Sequence, residues 1–383
     1  MSRINKSITI FFDFYLQFLI FSIINRSFIP LNIDLRFIVV GLAIILIVLS
    51  LFSILNVKID KNMILVLILY GLVIVSFFIK NTVNVDSAIY KNLIILNLYC
   101  FFNIMIVFSF STYINTKKVW KYLSFAWYFL FFSVIFSALG FKLPFNDYKA
   151  SYISNVDVGS GIRFSGYGTD PNYVCIIAIV IVIFTYAIKT KTINKLFIYF
   201  TALIAIILTR SRSALVIAVL LLIASYFDKF LSKNIKKIII SFTFVSLGII
   251  PIIMLLIKPF NNNISMALRY DLWQQTFSAF LQHPLFGNGL MSGRNIAFYN
   301  LNWFVQCHST YFQLLCDNGI FALFVYFAIY YFNVVKNIDN PLKYIFLLYF
   351  AWSFTYETMY LTYTILFLGI LPYCLFKNKG MSK

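Results

Sequence analysis

The sequence predicts an all-α, polytopic membrane protein with about 12 transmembrane helices and a large outer loop containing an amphipathic helix. Three observations predict it. Of 383 residues, 62% are hydrophobic and only 11% charged, too little charge to cover a water-soluble surface. Apolar runs near the ~20 residues that cross a bilayer core recur from end to end, the eighth and eleventh of them short. The basic residues lie in short clusters between those runs, so the net charge of +19 reports membrane topology rather than nucleic-acid binding. A single transmembrane domain over 1–383 is expected.

The expected spans begin with Ile8 to Ile24, Phe37 to Leu55, Met63 to Ile79, Leu93 to Phe110 and Leu123 to Leu139. Next come Tyr173 to Ile188, Ile193 to Thr209, Ala214 to Phe227 and Ile238 to Ile257, then Tyr311 to Val335, Leu342 to Thr355 and Leu361 to Phe376. Arg3 and Lys6 precede the first run as they would in a signal peptide, but no small-residue cleavage pattern follows, so a retained helix is expected. An even number of spans with the N-terminus inside puts both termini in the cytoplasm. More than half of the 31 basic residues then lie inside, although the two longest loops lie outside.

The cations also divide by type. Inside they are lysines, except Arg3; outside stand Arg26, Arg36, Arg163, Arg210, Arg212, Arg269 and Arg294. A planar guanidinium grips phosphate oxygens with two parallel hydrogen bonds, which a lysine cannot do. This split predicts an outer-face site for a phosphorylated, membrane-held ligand. For Arg26 and Arg36, snorkelling to head groups is an equal alternative.

Two outer loops exceed mere connections, 140–172 and 258–310. In the second, Leu268, Leu272, Phe277 and Phe280 recur at helical spacing beside Trp273, which predicts an interfacial helix ended by His283-Pro284 and the turn Gly287-Asn288-Gly289. Three segments carry candidate chemistry. In Leu208 to Leu215, LTRSRSAL, Ser211 or Ser213 caps a helix start that favours an anion, and Arg210 and Arg212 either bind it or anchor the hairpin at the interface. In Gly161 to Tyr173, Asp170-Pro171-Asn172 reads as a helix start, with Arg163 available to a sugar or phosphate. In His308 to Leu323, HSTYFQLLCDNGIFAL, a histidine opens a helix with Tyr311 on its face; it serves either as a base or structurally, and Asp317 either orients a polar site or ends an irregular segment.

Other patterns exclude function classes. Cys100, Cys175, Cys307, Cys316 and Cys374 form no CxxC pair, and His283 and His308 have no zinc spacing, so neither a metal nor another cofactor is expected. Phosphate-binding loops, dinucleotide fingerprints and nucleophile elbows are absent. Asp13 and Glu357 are apolar-context carboxylates with no partner visible in the sequence.

Together, SRSAL from Ser211, Arg269 with Trp273, HPLFGNGL from His283 to Leu290 and the His308 segment, in this order, resemble the O-antigen polymerase and O-antigen ligase superfamily of bacterial envelope proteins. The resemblance covers Ser211 to Leu323; the first half matches only as apolar helices. It implies a metal-independent glycosyltransferase of the bacterial plasma (inner) membrane, acting on its outer face. The implied donor and acceptor are oligosaccharides linked to a polyprenyl diphosphate such as undecaprenyl diphosphate. Arg212 and Arg269, together with Arg210, would meet the lipid diphosphate, and His308 would be the general base. Arg163, Asp170, Arg294, Trp273 and Tyr311 are candidates for glycan contact. Ser309 stands where Asn is frequent in the family, which puts a role for that neighbour in doubt. A polymerase of O-antigen, capsule or similar repeats is the favoured expectation, with a chain-length regulator and a flippase of the same pathway as partners. A ligase acting on lipid A core within lipopolysaccharide, and a flippase or transporter, are the alternatives.

Overall fold

The computed structural model describes residues 3–30, 34–51, 60–79, 87–145, 163–168, 170–188, 190–257, 264–293, 296, 307–356, 358–359 and 361–377. Helices stand at each expected apolar run: α1 Arg3–Ile24, α2 Leu35–Leu51, α3 Lys61–Phe78, α4 Ser87–Ser109, α5 Thr116–Ala138, α6 Pro171–Ala187, α7 Thr192–Thr209, α8 Arg212–Phe227 and α9 Lys233–Ile257. Then follow α10 Ile264–Gln282, α11 Thr310–Lys336 and α12 Lys343–Trp352, and a π-helical stretch Ile365–Ile370 that runs into α13 Leu371–Lys377. Seven of these, α1, α3, α4, α5, α7, α9 and α11, are long and apolar enough to cross a membrane; the other apolar helices are shorter. The chain is an integral membrane protein.

Local chemistry sets the helix starts. Asp60 Oδ1 accepts from the Met63 amide at 2.8 Å to open α3, and Asn115 Oδ1 takes the amides of Lys117 and Lys118 to open α5. Asp170 caps α6, as the sequence predicts, with Pro171 in the first turn.

α6 is the centre of the bundle. It packs against α5, α7, α8 and α12, and Pro171 through Ile181 are buried on every face. α11 packs against α3, α9, α10 and α12, and α1 against α2 and α5. α9, by contrast, buries only Ile240, Phe244 and Pro251 and exposes most of its other apolar side chains, as a lipid-facing helix does. Because lipid is as apolar as leucine, close packing and interhelical hydrogen bonds of about 0.6 kcal/mol each hold such a bundle. Tyr15 donates to Asn103 Oδ1 at 2.8 Å, Trp127 to Thr201 Oγ1 at 3.0 Å, and Asn333 to Asn62 Oδ1 at 2.7 Å.

Charges meet at the end of the bundle where α5, α9 and α12 begin. Asp13, which has no visible partner in the sequence, pairs with Lys118 of α5. Buried Lys343 donates to both oxygens of Asp228 at 2.8 and 2.9 Å, and Lys236 bridges Asp228 and Asp339.

Candidate functional site

The candidate residues gather at the opposite end, where α6, α8 and α11 begin. Arg210 closes α7 in the left-handed conformation and is exposed. Ser211 is the residue before α8, but its hydroxyl does not cap that helix as expected; it donates to Asn172 Oδ1 at 2.7 Å. Arg212 is the first residue of α8, and its side chain lies outside the described set. Arg163 reaches the same turn: Nε donates to the Thr209 carbonyl at 2.8 Å and Nη2 to Asn172 Oδ1 at 2.7 Å. Asn172 in turn donates its backbone and side-chain nitrogens to Asp170 Oδ1, at 2.6 and 2.8 Å. One amide therefore ties together the segment before α6, the cap of α6 and the α7–α8 turn. Gly166, at φ +55°, fastens that segment to α5, because a Cβ there would stand 2.3 Å from Ser133 Oγ.

A second group converges from α10, α11 and the turn after α12. Half-buried Arg269 donates Nη1 to the Thr355 carbonyl at 3.4 Å, and its guanidinium lies 6.0 Å from the centre of the Tyr356 ring. His308 meets the same ring edge-on, with centroids 6.4 Å apart. Trp352 stacks on Tyr356 at 4.8 Å, and Tyr173 of α6 stands 6.0 Å away. The turn that carries Tyr356 is locked by buried hydroxyls. Thr310 Oγ1 donates to the Tyr356 carbonyl at 2.7 Å, Thr358 Oγ1 lies 2.9 Å from Thr310 Oγ1 and 2.8 Å from Ser353 Oγ, and Tyr326 joins Ser353 at 2.7 Å.

Electrostatics join the two groups. Burial pushes the Asp170 carboxyl above its ordinary value, while its hydrogen bonds to Asn172 and the charges of Arg163 and Arg269 pull the other way. Burial likewise raises the Tyr356 phenol, Asp170 raises it further, and Arg269 and Arg163 oppose both. Asp170, Arg163, Arg269 and Tyr356 thus share one electrostatic field, with His308 against its aromatic member.

The HPLFGNGL segment has a structural explanation. α11 is broken at Gly319, φ +79°, and the carbonyls freed there are taken by the loop: Asn288 N donates to Cys316 O at 2.7 Å and Gly289 N to Asp317 O at 3.1 Å, while Ile320 N returns to Pro284 O at 2.9 Å. The Asp317 carboxylate accepts from the amides of Met291 and Gly293 at 3.0 and 3.1 Å. Asp317 thereby ties the backbone of this loop to α11.

Three candidates sit differently from expectation. His308, at φ +54°, precedes the helix-capping residue Ser309 and so does not lie on the face of α11 that Tyr311 occupies. Tyr311 is inside the bundle, its hydroxyl donating to the Phe350 carbonyl at 2.6 Å. Trp273 is fully buried, stacked on Phe312, with Nε1 donating to the Cys307 carbonyl at 2.9 Å. Arg294 and Glu357 lie outside the described residues, as does 258–263 at the start of the large loop. Sequence reasoning missed Tyr356 altogether and took Asn172 only for a helix start. Nothing in the sequence marks Tyr356, since its neighbours come from α6, α10 and the residues before α11. The five cysteines are buried thiols outside any disulfide, and among the described residues no group of three His, Cys, Asp or Glu could hold a metal ion. Beside α10 lies an apolar cavity of about 340 Å³ between α9, α10 and α11, lined by Pro251, Phe277, Phe280, Phe312, Leu315 and Phe324 among others.

Fold and site define a polytopic helical membrane protein whose arginines, a carboxylate and a histidine meet at one end of its bundle. Residues 197–327 match the family model described as O-antigen ligase, and over that stretch the chain is similar to that family. Its members are glycosyltransferase-like enzymes of O-antigen-related polysaccharide biosynthesis. No curated protein and no solved structure matches the chain.

Proposed function

We propose that the protein is a polymerase of lipid-linked oligosaccharide repeats in the bacterial plasma membrane, with both termini cytoplasmic and its site on the outer face. The growing glycan leaves its polyprenyl diphosphate and joins a hydroxyl of the next lipid-linked repeat. His308 takes the proton from that hydroxyl, the hydroxyl oxygen bonds to the anomeric carbon, and the bond from that carbon to the diphosphate breaks. Direct displacement inverts the anomeric centre. The diphosphate is already a good leaving group, so arginines that meet its growing charge are sufficient without a metal; Arg212, Arg269 and Arg210 take that role. Arg163 and Asp170 contact the glycans.

One observation carries this reading: Arg269 stands beside His308's aromatic neighbour on the same helix that lines the apolar cavity, so a charged head group and an apolar chain are both provided for along α10. A ligase acting on lipid A core is the second reading, supported by the words O-antigen ligase in the description of the matched family.

The test replaces His308→Ala and Arg212→Lys in cells, with insertion confirmed, and follows surface glycan length and lipid-linked intermediates. Loss of a general base lowers the rate by roughly a hundredfold or more, so single repeats should be exported but unjoined. Long glycans from both variants would overturn the assignment. Intermediates trapped on the cytoplasmic face would point to a flippase, and loss of transfer to lipid A core alone to the ligase.

A further inference from the structure

We propose that Asp170 and Tyr356 form the acceptor half of the site, holding by hydrogen bonds the sugar whose hydroxyl attacks. This rests on the glycosyl-transfer reading above and divides that site between its two substrates.

The carboxylate is the starting point. Its Oδ1 is committed twice, to the backbone and side-chain nitrogens of Asn172, and Oδ2 takes neither bond. Capping α6 needs one oxygen and no charge; Ser, Thr or Asn would serve there as well. A charge kept in a partly buried position is costly, and here Arg163 and Arg269 offset that cost only in part. The cap alone therefore does not account for a carboxylate at this position.

Its sign decides which substrate it meets. A negative group among the arginines repels a diphosphate and weakens their hold on it. A neutral sugar has no such conflict, and its hydroxyls are donors that a carboxylate oxygen accepts strongly. The carboxylate therefore marks a boundary. The donor's diphosphate belongs with Arg210, Arg212 and Arg269, and the uncharged acceptor sugar belongs at Asp170, with Arg269 at the boundary between the two. Arg163 spans the two: Nε and Nη2 are spent on Thr209 and Asn172, which fixes the guanidinium plane and leaves Nη1 for a ligand.

Tyr356 completes this half. Its ring stacks on Trp352, and its phenol oxygen accepts from the Arg269 guanidinium, which leaves the phenol's own proton to be donated. A phenol kept protonated both gives and accepts a hydrogen bond, the counterpart a second sugar hydroxyl needs. His308, edge-on to the same ring, is then adjacent to the sugar these two groups hold.

The experiment separates the substrates. The donor is a radiolabelled lipid-linked glycan extracted from a strain lacking the protein. The acceptor is a single repeat joined to its lipid through a phosphonate, which can accept but cannot donate. Purified full-length wild type, Asp170→Asn, Asp170→Ser and Tyr356→Phe are compared, the two Asp170 variants retaining a capping side chain. The half-saturating acceptor concentration is expected to rise tenfold or more in both Asp170 variants and at least threefold in Tyr356→Phe, with that of the donor changing less than twofold. Three outcomes would overturn the assignment: an unchanged acceptor dependence, an equal rise for donor and acceptor, or Asp170 variants that fail to fold in detergent, which would make the carboxylate structural. Wild-type protein that joins no repeats would instead defeat the glycosyl-transfer reading itself.

Discussion

At the scale of single residues, the carboxylates of Asp34 and Asp170 illustrate how one side-chain type is tuned in opposite directions. Burial alone would raise Asp34, but its hydrogen bonds with Arg36, assisted by the charge of Arg36 and of Arg26, prevail and hold it below the ordinary value. For Asp170, burial prevails over Asn172, Arg163 and Arg269. Linkage gives the two opposite signs. Asp34 contributes stability above the unfolded value of ~3.9 that is lost as pH falls through its lowered folded value. Asp170 contributes stability that is full below ~3.9 and is lost as pH rises through its raised folded value. In melting measurements on detergent-solubilised protein, Asp34→Asn should therefore be less acid-sensitive than wild type, and Asp170→Asn more so. Parallel pH curves for all three proteins would contradict these assignments. The sequence placed Asp170 as a cap and Arg163 beside it, but it could not show that Asn172 joins them, because an asparagine in a first helical turn has the same appearance whether it ends a turn or bridges three segments.

At the scale of elements, the break in α11 was hidden for a related reason. One glycine inside an apolar run is ordinarily tolerated in a helix, and the run from Tyr311 to Val335 reads as continuous. The break exists because distant backbone reaches it: a Cβ on Gly319 would stand 2.1 Å from the Leu285 carbonyl oxygen, and one on Gly287 2.5 Å from the Asn318 amide, both at positive φ. Neither obstacle is a flexible side-chain end. Gly319→Ala and Gly287→Ala should each cost more than ~2 kcal/mol by combined strain and overpacking, seen as a lower melting temperature and reduced yield of inserted protein. Wild-type stability in either variant would mean that loop and helix separate readily. The apolar spans themselves were legible because length and hydropathy are local properties, whereas the turn after α12, which carries Tyr356, is fixed by hydroxyls of Thr310, Ser353 and Thr358 that meet only in three dimensions.

At the scale of the molecule, the division of cations by type meets the division of the bundle by ends. Lys118, Lys236 and Lys343 pair with carboxylates at one end, and Arg163 and Arg269 gather at the other. Under the proposed topology the positive-inside rule would have the lysine end face the cytoplasm. Because the five native cysteines are buried, they can be removed to make a background for labelling. In intact cells, Gln282→Cys should react with a membrane-impermeant maleimide, and Lys117→Cys only after permeabilisation; the reverse pattern would invert the proposed topology.

The exchange of backbone bonds between Pro284, Asn288, Gly289 and the broken helix also works as a ruler. Each donor meets its acceptor only if the intervening chain has its present length, so the segment is constrained in number of residues as well as in kind. Adding or deleting one residue between Pro284 and Asn288 would leave carbonyls at the break without donors even if every glycine were kept. In the natural variation of this protein, length within that short stretch should be inherited as strictly as any side chain.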